Sequence, residues 1–216
     1  LLGSAVSWGQ LNKYYYVWVG QDLVLENRNK EAIETLNVLL RADSTAYEAY
    51  FLRGIAKYNL DDLLGAEADF SLAIRRNPVF TTAYQYRAIT RSQLGNYDDA
   101  LRDFQEAIDL RPDLPGPYFS RGVTFLLTQQ FDPAIEDFDT FIHYNQKVAD
   151  AYINRGLAYL YKKDTVTAYE NFEQGIKTNR EYPRGYVQRG QLRMEEKNYG
   201  LAMEDFNKAI SYDSTY

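Results

Sequence analysis

Five tyrosines, Tyr50, Tyr84, Tyr118, Tyr152 and Tyr186, stand 34 residues apart, and each opens a near-copy of one phrase: YFLRG, YQYRA, YFSRG, YINRG and YVQRG. Ala66, Ala100, Ala134, Ala168 and Ala202 keep the same interval, as do Phe70, Phe104, Phe138, Phe172 and Phe206. A fixed period of this size means one small supersecondary unit stacked on itself, and it outranks an element-by-element reading. Stacked units present surfaces more readily than chemical pockets. Counting units from Lys13, Tyr47, Thr81, Pro115, Ala149 and Pro183, place 4 is always Tyr and place 20 always Ala. Place 8 is Gly20, Gly54, Ala88, Gly122, Gly156 or Gly190, and place 24 is Phe except for Leu36. The first unit is thus a worn copy, carried by Tyr16, Gly20, Ala32 and Leu36.

Within a unit, places 4, 8 and 11 and places 17, 20, 21, 24, 27 and 28 recur at three- and four-residue steps. That spacing draws apolar stripes on two successive helices. Leu94-Gly95-Asn96, Lys163-Asp164 and Lys197-Asn198 read as the turns between them. A small residue at place 8 opposite Ala at place 20 lets the two helices approach closely, and the Phe at place 24 fills the space beyond. Pro133 falls in the first turn of its helix, where a missing N–H costs nothing. Pro78 and Pro112, at place 32, stop the second helix.

An aromatic, a small residue, then A-x3-F and a closing Pro: this phrase resembles the tetratricopeptide repeat. The resemblance implies an all-α tetratricopeptide-repeat solenoid of antiparallel helix pairs forming a right-handed superhelix. Its organisation would be an N-terminal segment, residues 1–12, and one continuous array, residues 13–216, with repeats 13–46, 47–80, 81–114, 115–148, 149–182 and 183–216.

Composition narrows the function classes. A net charge of −6 and the lack of basic runs with interleaved aromatics argue against nucleic acid. With no cysteine, disulfides, thiolate metal sites and cysteine nucleophiles are excluded. No apolar stretch reaches the roughly 18 to 20 residues of a transmembrane segment. The opening LLGSAVSWGQLN lies outside the array and starts with Leu rather than Met. Its small residues around Ser7-Trp8-Gly9 match the tail of a secretory signal, which tilts localisation towards periplasmic or secreted over cytoplasmic. The alternatives are a construction boundary or a helical cap with Trp8 covering the first repeat.

Place 7, usually Leu in the resembling family, is Arg53, Arg87, Arg121, Arg155 and Arg189; place 23 is Asp69, Asp103, Asp137, Asn171 and Asp205. Both change together in the first unit, to Val19 and Thr35. The two places adjoin the packed face of antiparallel helices, so a structural ladder is expected: Arg–carboxylate pairs in repeats 2, 3, 4 and 6, weakened to Arg–Asn in repeat 5. The other reading is a row of arginines that binds acidic peptides. Regularity argues against it, since a ligand seldom needs the same contact in every repeat.

In the resembling family the first helix of each repeat lines the concave side through places 2, 5, 6, 9, 12 and 13. Transferred here, these places give a mostly apolar trough: Phe51, Ile55 and Tyr58, then Gln85, Tyr86 and Ile89, then Phe119, Val123 and Leu126 with Leu127, then Ile153, Asn154, Leu157 and Tyr161. The family's two-carboxylate clamp on chaperone tails needs Lys and Asn at places 5 and 9, and both are missing. A protein or peptide partner with apolar anchors is expected instead, each fully buried anchor contributing about 1.5–3 kcal/mol. The competing reading has these side chains filled by adjacent repeats.

At the far end, Met203, Phe206 and Ile210 occupy places that elsewhere pack against a following repeat, so a homodimer through them, or a longer chain, is a separate expectation. An enzyme is not expected. His143, the single histidine, stands near a helix end, and no nucleophile elbow, phosphate loop or metal spacing is present, so no cofactor and no metal are assigned. Three functions follow: a non-catalytic scaffold gripping a segment in its groove, an assembly element working through its last repeat or within a larger complex, and a small-molecule or glycan binder using groove aromatics.

Overall fold

The computed structural model describes residues 12–213 and 215. Twelve helices and no strand occur among them: α1 Lys13–Leu25, α2 Asn29–Ala42, α3 Tyr47–Asn59, α4 Leu63–Arg76, α5 Thr81–Gln93, α6 Tyr97–Leu110, α7 Pro115–Leu127, α8 Phe131–Tyr144, α9 Ala149–Tyr161, α10 Thr165–Thr178, α11 Pro183–Glu195 and α12 Tyr199–Tyr212. Every odd-numbered helix (the A helix) starts at place 1 of a repeat, and every even-numbered one (the B helix) at place 17. The N-terminal segment before Asn12, including Trp8 and the signal-like residues, lies outside the described residues.

One turn geometry joins A to B in all six repeats. Place 15 has a left-handed backbone at Asn27, Asp61, Gly95, Gln129, Lys163 and Lys197. The amide of place 16 donates back to the carbonyl of place 11, as from Asp62 to Lys57 at 2.9 Å and from Asp164 to Tyr159 at 3.0 Å. Such a cap satisfies the last orphan carbonyls of the A helix. Gly95 alone adopts this conformation without a side-chain penalty; the other five hold it because the cap and the packed pair fix the chain on both sides.

The helices group into two compact units, Leu1–Arg111 and Pro112–Tyr216. In the first unit α1–α2, α3–α4 and α5–α6 pack as pairs, with α2 against α3 and α4 against α5. The second unit repeats the scheme, with α7–α8, α9–α10 and α11–α12 as pairs, α8 against α9 and α10 against α11. Tyrosines at place 4 tie the connecting loops of the second unit to it. The hydroxyls of Tyr118, Tyr152 and Tyr186 donate to the place-32 carbonyls of Pro112, Gln146 and Arg180 at 3.2, 3.2 and 2.9 Å.

Each pair closes on the small residue at place 8. A Cβ added to Gly54 would lie 2.6 Å from Cε1 of Phe70, and at Gly156 2.7 Å from Cε1 of Phe172. Phe70, Phe104, Phe138 and Phe172 are completely buried as a result, together with the place-20 alanines. Overpacking this contact is the most direct way to pry a pair apart. Gly54→Val should lower stability by about 1–3 kcal/mol, read as an earlier denaturant midpoint; an unchanged midpoint would show that the pair does not close on this residue.

Candidate functional site

The place-7 arginines come first, because they set which surfaces remain free. Arg53, Arg87, Arg121 and Arg189 each grip the place-23 carboxylate of their own repeat through Nε and Nη2, at 2.6 to 3.0 Å. Such two-point pairing is the strongest geometry available to a guanidinium. In repeat 5 the partner is Asn171, which accepts from Arg155 Nε at 2.8 Å and donates to the carbonyl of Thr167 at 2.8 Å. The guanidiniums also lie over the place-4 tyrosine rings, 5.4 to 5.8 Å from the centroids, within cation–π range.

Two further partners were not part of the sequence reading. In four of them Nη1 reaches back 16 residues to place 25 of the preceding repeat: Arg53 to Asn37 at 2.5 Å, Arg87 to Ser71 at 3.1 Å, Arg155 to Asp139, and Arg189 to Glu173 at 2.7 Å. Each of these four arginines therefore joins two repeats. Second, place 11 supplies another cation to the same carboxylate in repeats 2, 3 and 6, with Lys57, Arg91 and Arg193 each 2.8 Å from Asp69, Asp103 and Asp205. Place 11 of repeat 4 is Phe125, and there burial pushes the Asp137 carboxyl above the usual carboxylate range despite Arg121.

The trough residues divide into those that are covered and those that are not. Phe51 sits among Phe70, Phe80 and Tyr86, with centroids 5.8, 4.8 and 5.4 Å away, so both Phe51 and Tyr86 work largely between repeats. Phe119 packs on Phe138 and Phe141 at 5.9 and 4.9 Å. Ile55, Tyr58, Gln85, Ile89, Val123, Leu126 and Leu157 are half-buried. Gln93 donates to the Tyr58 hydroxyl at 2.6 Å.

Two of the sequence-assigned groove residues are corrected by their burial. Ile153 is 0% exposed. Place 27 of its repeat is Gly175, where an added Cβ would stand 2.8 Å from Cγ1 of Ile153, so the isoleucine sinks into the unit. Asn154 is also buried, and its Oδ1 accepts from Arg184 Nη2 at 2.8 Å. Arg184 in turn meets Asp150 at 2.8 Å, and the Tyr182 hydroxyl donates to the same carboxylate at 2.6 Å. Burial, with Asp150 beside it, pushes Tyr182 up to about 12, so its hydroxyl stays protonated near neutrality. By contrast Leu127 and Tyr161, at place 13 of repeats 4 and 5, are 58% and 55% exposed. Tyr161 stacks on Phe131 with centroids 5.4 Å apart.

His143 is exposed in the last turn of α8, its ring edge-on to Tyr144 at 5.3 Å. Among the described residues no group of three or more His, Asp or Glu could hold a metal, and no helix is long and apolar enough to cross a membrane. Cavities of about 640 and 340 Å³ lie along α10–α12, lined by residues such as Arg189, Arg193, Tyr169 and Leu201, and neither is lined by a trough residue.

Tetratricopeptide-repeat family models match residues 20–79, 91–129, 149–182 and 183–216. The chain belongs to the tetratricopeptide repeat family. No curated protein sequence matches it. Among solved structures it is similar to MamA, at 22% identity over 75% of this chain and 95% of that one, with a TM-score of 0.67. The Cut9–Hcn1 hetero-tetramer of the APC/C matches over 94% of this chain and 40% of that one, at 18% identity and a TM-score of 0.80. YrrB, described as a TPR protein with an unusual peptide-binding site, matches at 22% identity over 79% and 88% with a TM-score of 0.67. At these identities the likeness shows the tetratricopeptide fold.

The ladder's cost structure is open to test. Removing one partner of a buried pair costs about 3–5 kcal/mol, while replacing both with apolar groups costs far less. Arg121→Leu should therefore destabilise the protein more than Arg121→Leu combined with Asp137→Leu, as read from unfolding midpoints. A double variant as poor as the sum of the two single ones would rule out the pairing as an energetic unit.

Proposed function

We propose that this tetratricopeptide protein is a non-catalytic interaction scaffold whose A-helix faces hold a segment of a protein partner through apolar anchors. The observation that carries this is the exposure of Leu127 and Tyr161 at equivalent places of adjacent repeats. Leu127 follows the half-buried Leu126 on α7 and Tyr161 follows the half-buried Leu160 on α9, and Tyr161 keeps its exposure while stacked on Phe131 of α8. Repeated apolar exposure along one helix row marks a partner site more often than a free surface. In the first unit, Ile55, Tyr58, Gln85 and Ile89 offer the matching row, mixing apolar surface with amide and hydroxyl groups. The peptide-binding site of YrrB lends this reading support by analogy of fold.

A second reading is favoured by a separate observation. On the last repeat Met203 and Ile210 are 66% and 48% exposed, with Phe206 half-buried between them. Association through this face, with a second copy or with another chain, would make the protein an assembly element.

The two surfaces separate experimentally. Affinity capture from the native host with the parent chain, with Leu127→Glu/Tyr161→Glu and with Ile210→Glu should show partner loss only in the first double variant. Both variants should keep the parent's helical circular dichroism, because none of the three side chains is buried. A partner retained by Leu127→Glu/Tyr161→Glu but lost from Ile210→Glu would overturn the groove reading in favour of assembly.

A further inference from the structure

Inside the second unit, two neighbouring seams between B helices are built differently. Where repeats 4 and 5 meet, Lys162 at place 14 pairs with Asp132 at place 18 of the preceding repeat. Tyr159, at place 11, packs on the cluster of Ala134, Ile135 and Phe138 in the same seam. Where repeats 5 and 6 meet, places 14 and 18 hold Glu196 and Val166 instead. The acid has become aliphatic and the cation a carboxylate, so that ion pair cannot form. A cavity of about 340 Å³ lies in this seam, along α10 and α12. Every residue that lines it belongs to repeats 5 and 6, and none is a trough residue.

The cavity combines aliphatic surface with negative charge. Val166 on α10 and Leu201 on α12 are 71% and 47% exposed. Arg193 also lines it, but its charge is already spent. Its Nη1 meets Asp205 and its Nη2 the Tyr169 hydroxyl, both at 2.8 Å. Asp205 is shared with Arg189, which also holds Glu173, so two guanidiniums meet two carboxylates. Glu170 and Glu196 stand outside this balanced network. Both are exposed, and among the described residues neither has a cation within ion-pair distance. Glu170 follows Val166 by four positions, which puts the two side by side on α10. Glu196 caps the C-terminal end of α11, where the helix dipole disfavours a carboxylate and favours a cation.

We infer that this seam is a docking site for one arginine or lysine side chain of a protein partner. Its methylene stem lies against Val166 and Leu201, and its cationic head meets Glu170 and Glu196. Long basic side chains carry an apolar stem and a charged tip, the same two chemistries in the same order. Hydrogen bonds from a cation to carboxylates are among the stronger ones available at a surface. A purely apolar anchor would cover two carboxylates without satisfying them. The chain's net charge of −6 draws cationic partners and repels phosphate backbones and anionic lipid. This surface is separate from the A-helix row, so the inference does not depend on the groove reading.

The test titrates the full ¹⁵N-labelled chain with an acetylated, amidated Ser-Ala-Arg-Ala-Ser peptide up to millimolar concentration. Saturable shifts are expected at the amides of Val166, Glu170, Glu196 and Leu201. Binding should weaken at least tenfold when the peptide's arginine becomes glutamine, a change that leaves the protein untouched. It should weaken as much for the Glu170→Gln/Glu196→Gln protein, whose exposed substitutions keep the parent's helicity. An arginine analogue with the guanidinium on a single methylene should bind several-fold more weakly. Equal binding of that analogue would reduce the seam to an acidic surface and overturn the inference. So would the absence of saturable shifts, shifts centred on Leu127 and Tyr161, or affinity unchanged by either glutamine substitution.

Discussion

Everything in this protein depends on two helices being able to lie almost backbone to backbone at place 8. A glycine or alanine there leaves room for one aromatic ring, and in repeats 2 to 5 that ring's complete burial is a large apolar gain of the pair. Because the contact recurs every 34 residues, the pairs share one geometry, and within each unit the next pair meets the same face. Stability in such an array is a sum of pair terms and neighbour terms rather than the property of one core.

The neighbour term here has an electrostatic part. An arginine that satisfied only its own aspartate would brace a pair; one that also reaches place 25 of the preceding repeat fastens pair to pair. The first repeat has Val19 and Thr35 at the relevant places, so this pairing starts with repeat 2. Charge has thus been placed along the inter-repeat seams. On the A-helix rows the side chains are predominantly apolar or amide, the composition that suits a protein segment better than a phosphate backbone.

Most of the fold was legible in the sequence because the signals were periodic. Helix starts, the closing prolines and the arginine–aspartate column each repeat, so a single noisy copy does not obscure them. The site was less legible. Phe51 and Ile153 occupy the same place, but what each touches depends on place 27 of the same repeat. There Gly175 lets Ile153 disappear into the unit. That coupling is between columns, and a reading of one column at a time misses it. The place-25 partners were readable in principle, since Asn37, Ser71, Asp139 and Glu173 are polar in a row, but their role needed the geometry of the neighbouring helix.

Hydrogen exchange on Arg155→Leu tests the central claim, that the arginines couple consecutive repeats, most directly. Arg155 lies on α9 and holds Asn171 on α10 and Asp139 on α8. The account predicts that amide protection falls together in α8, α9 and α10. Protection lost from α9 and α10 while α8 is unchanged would contradict it, and would reduce the ladder to a brace within single helix pairs.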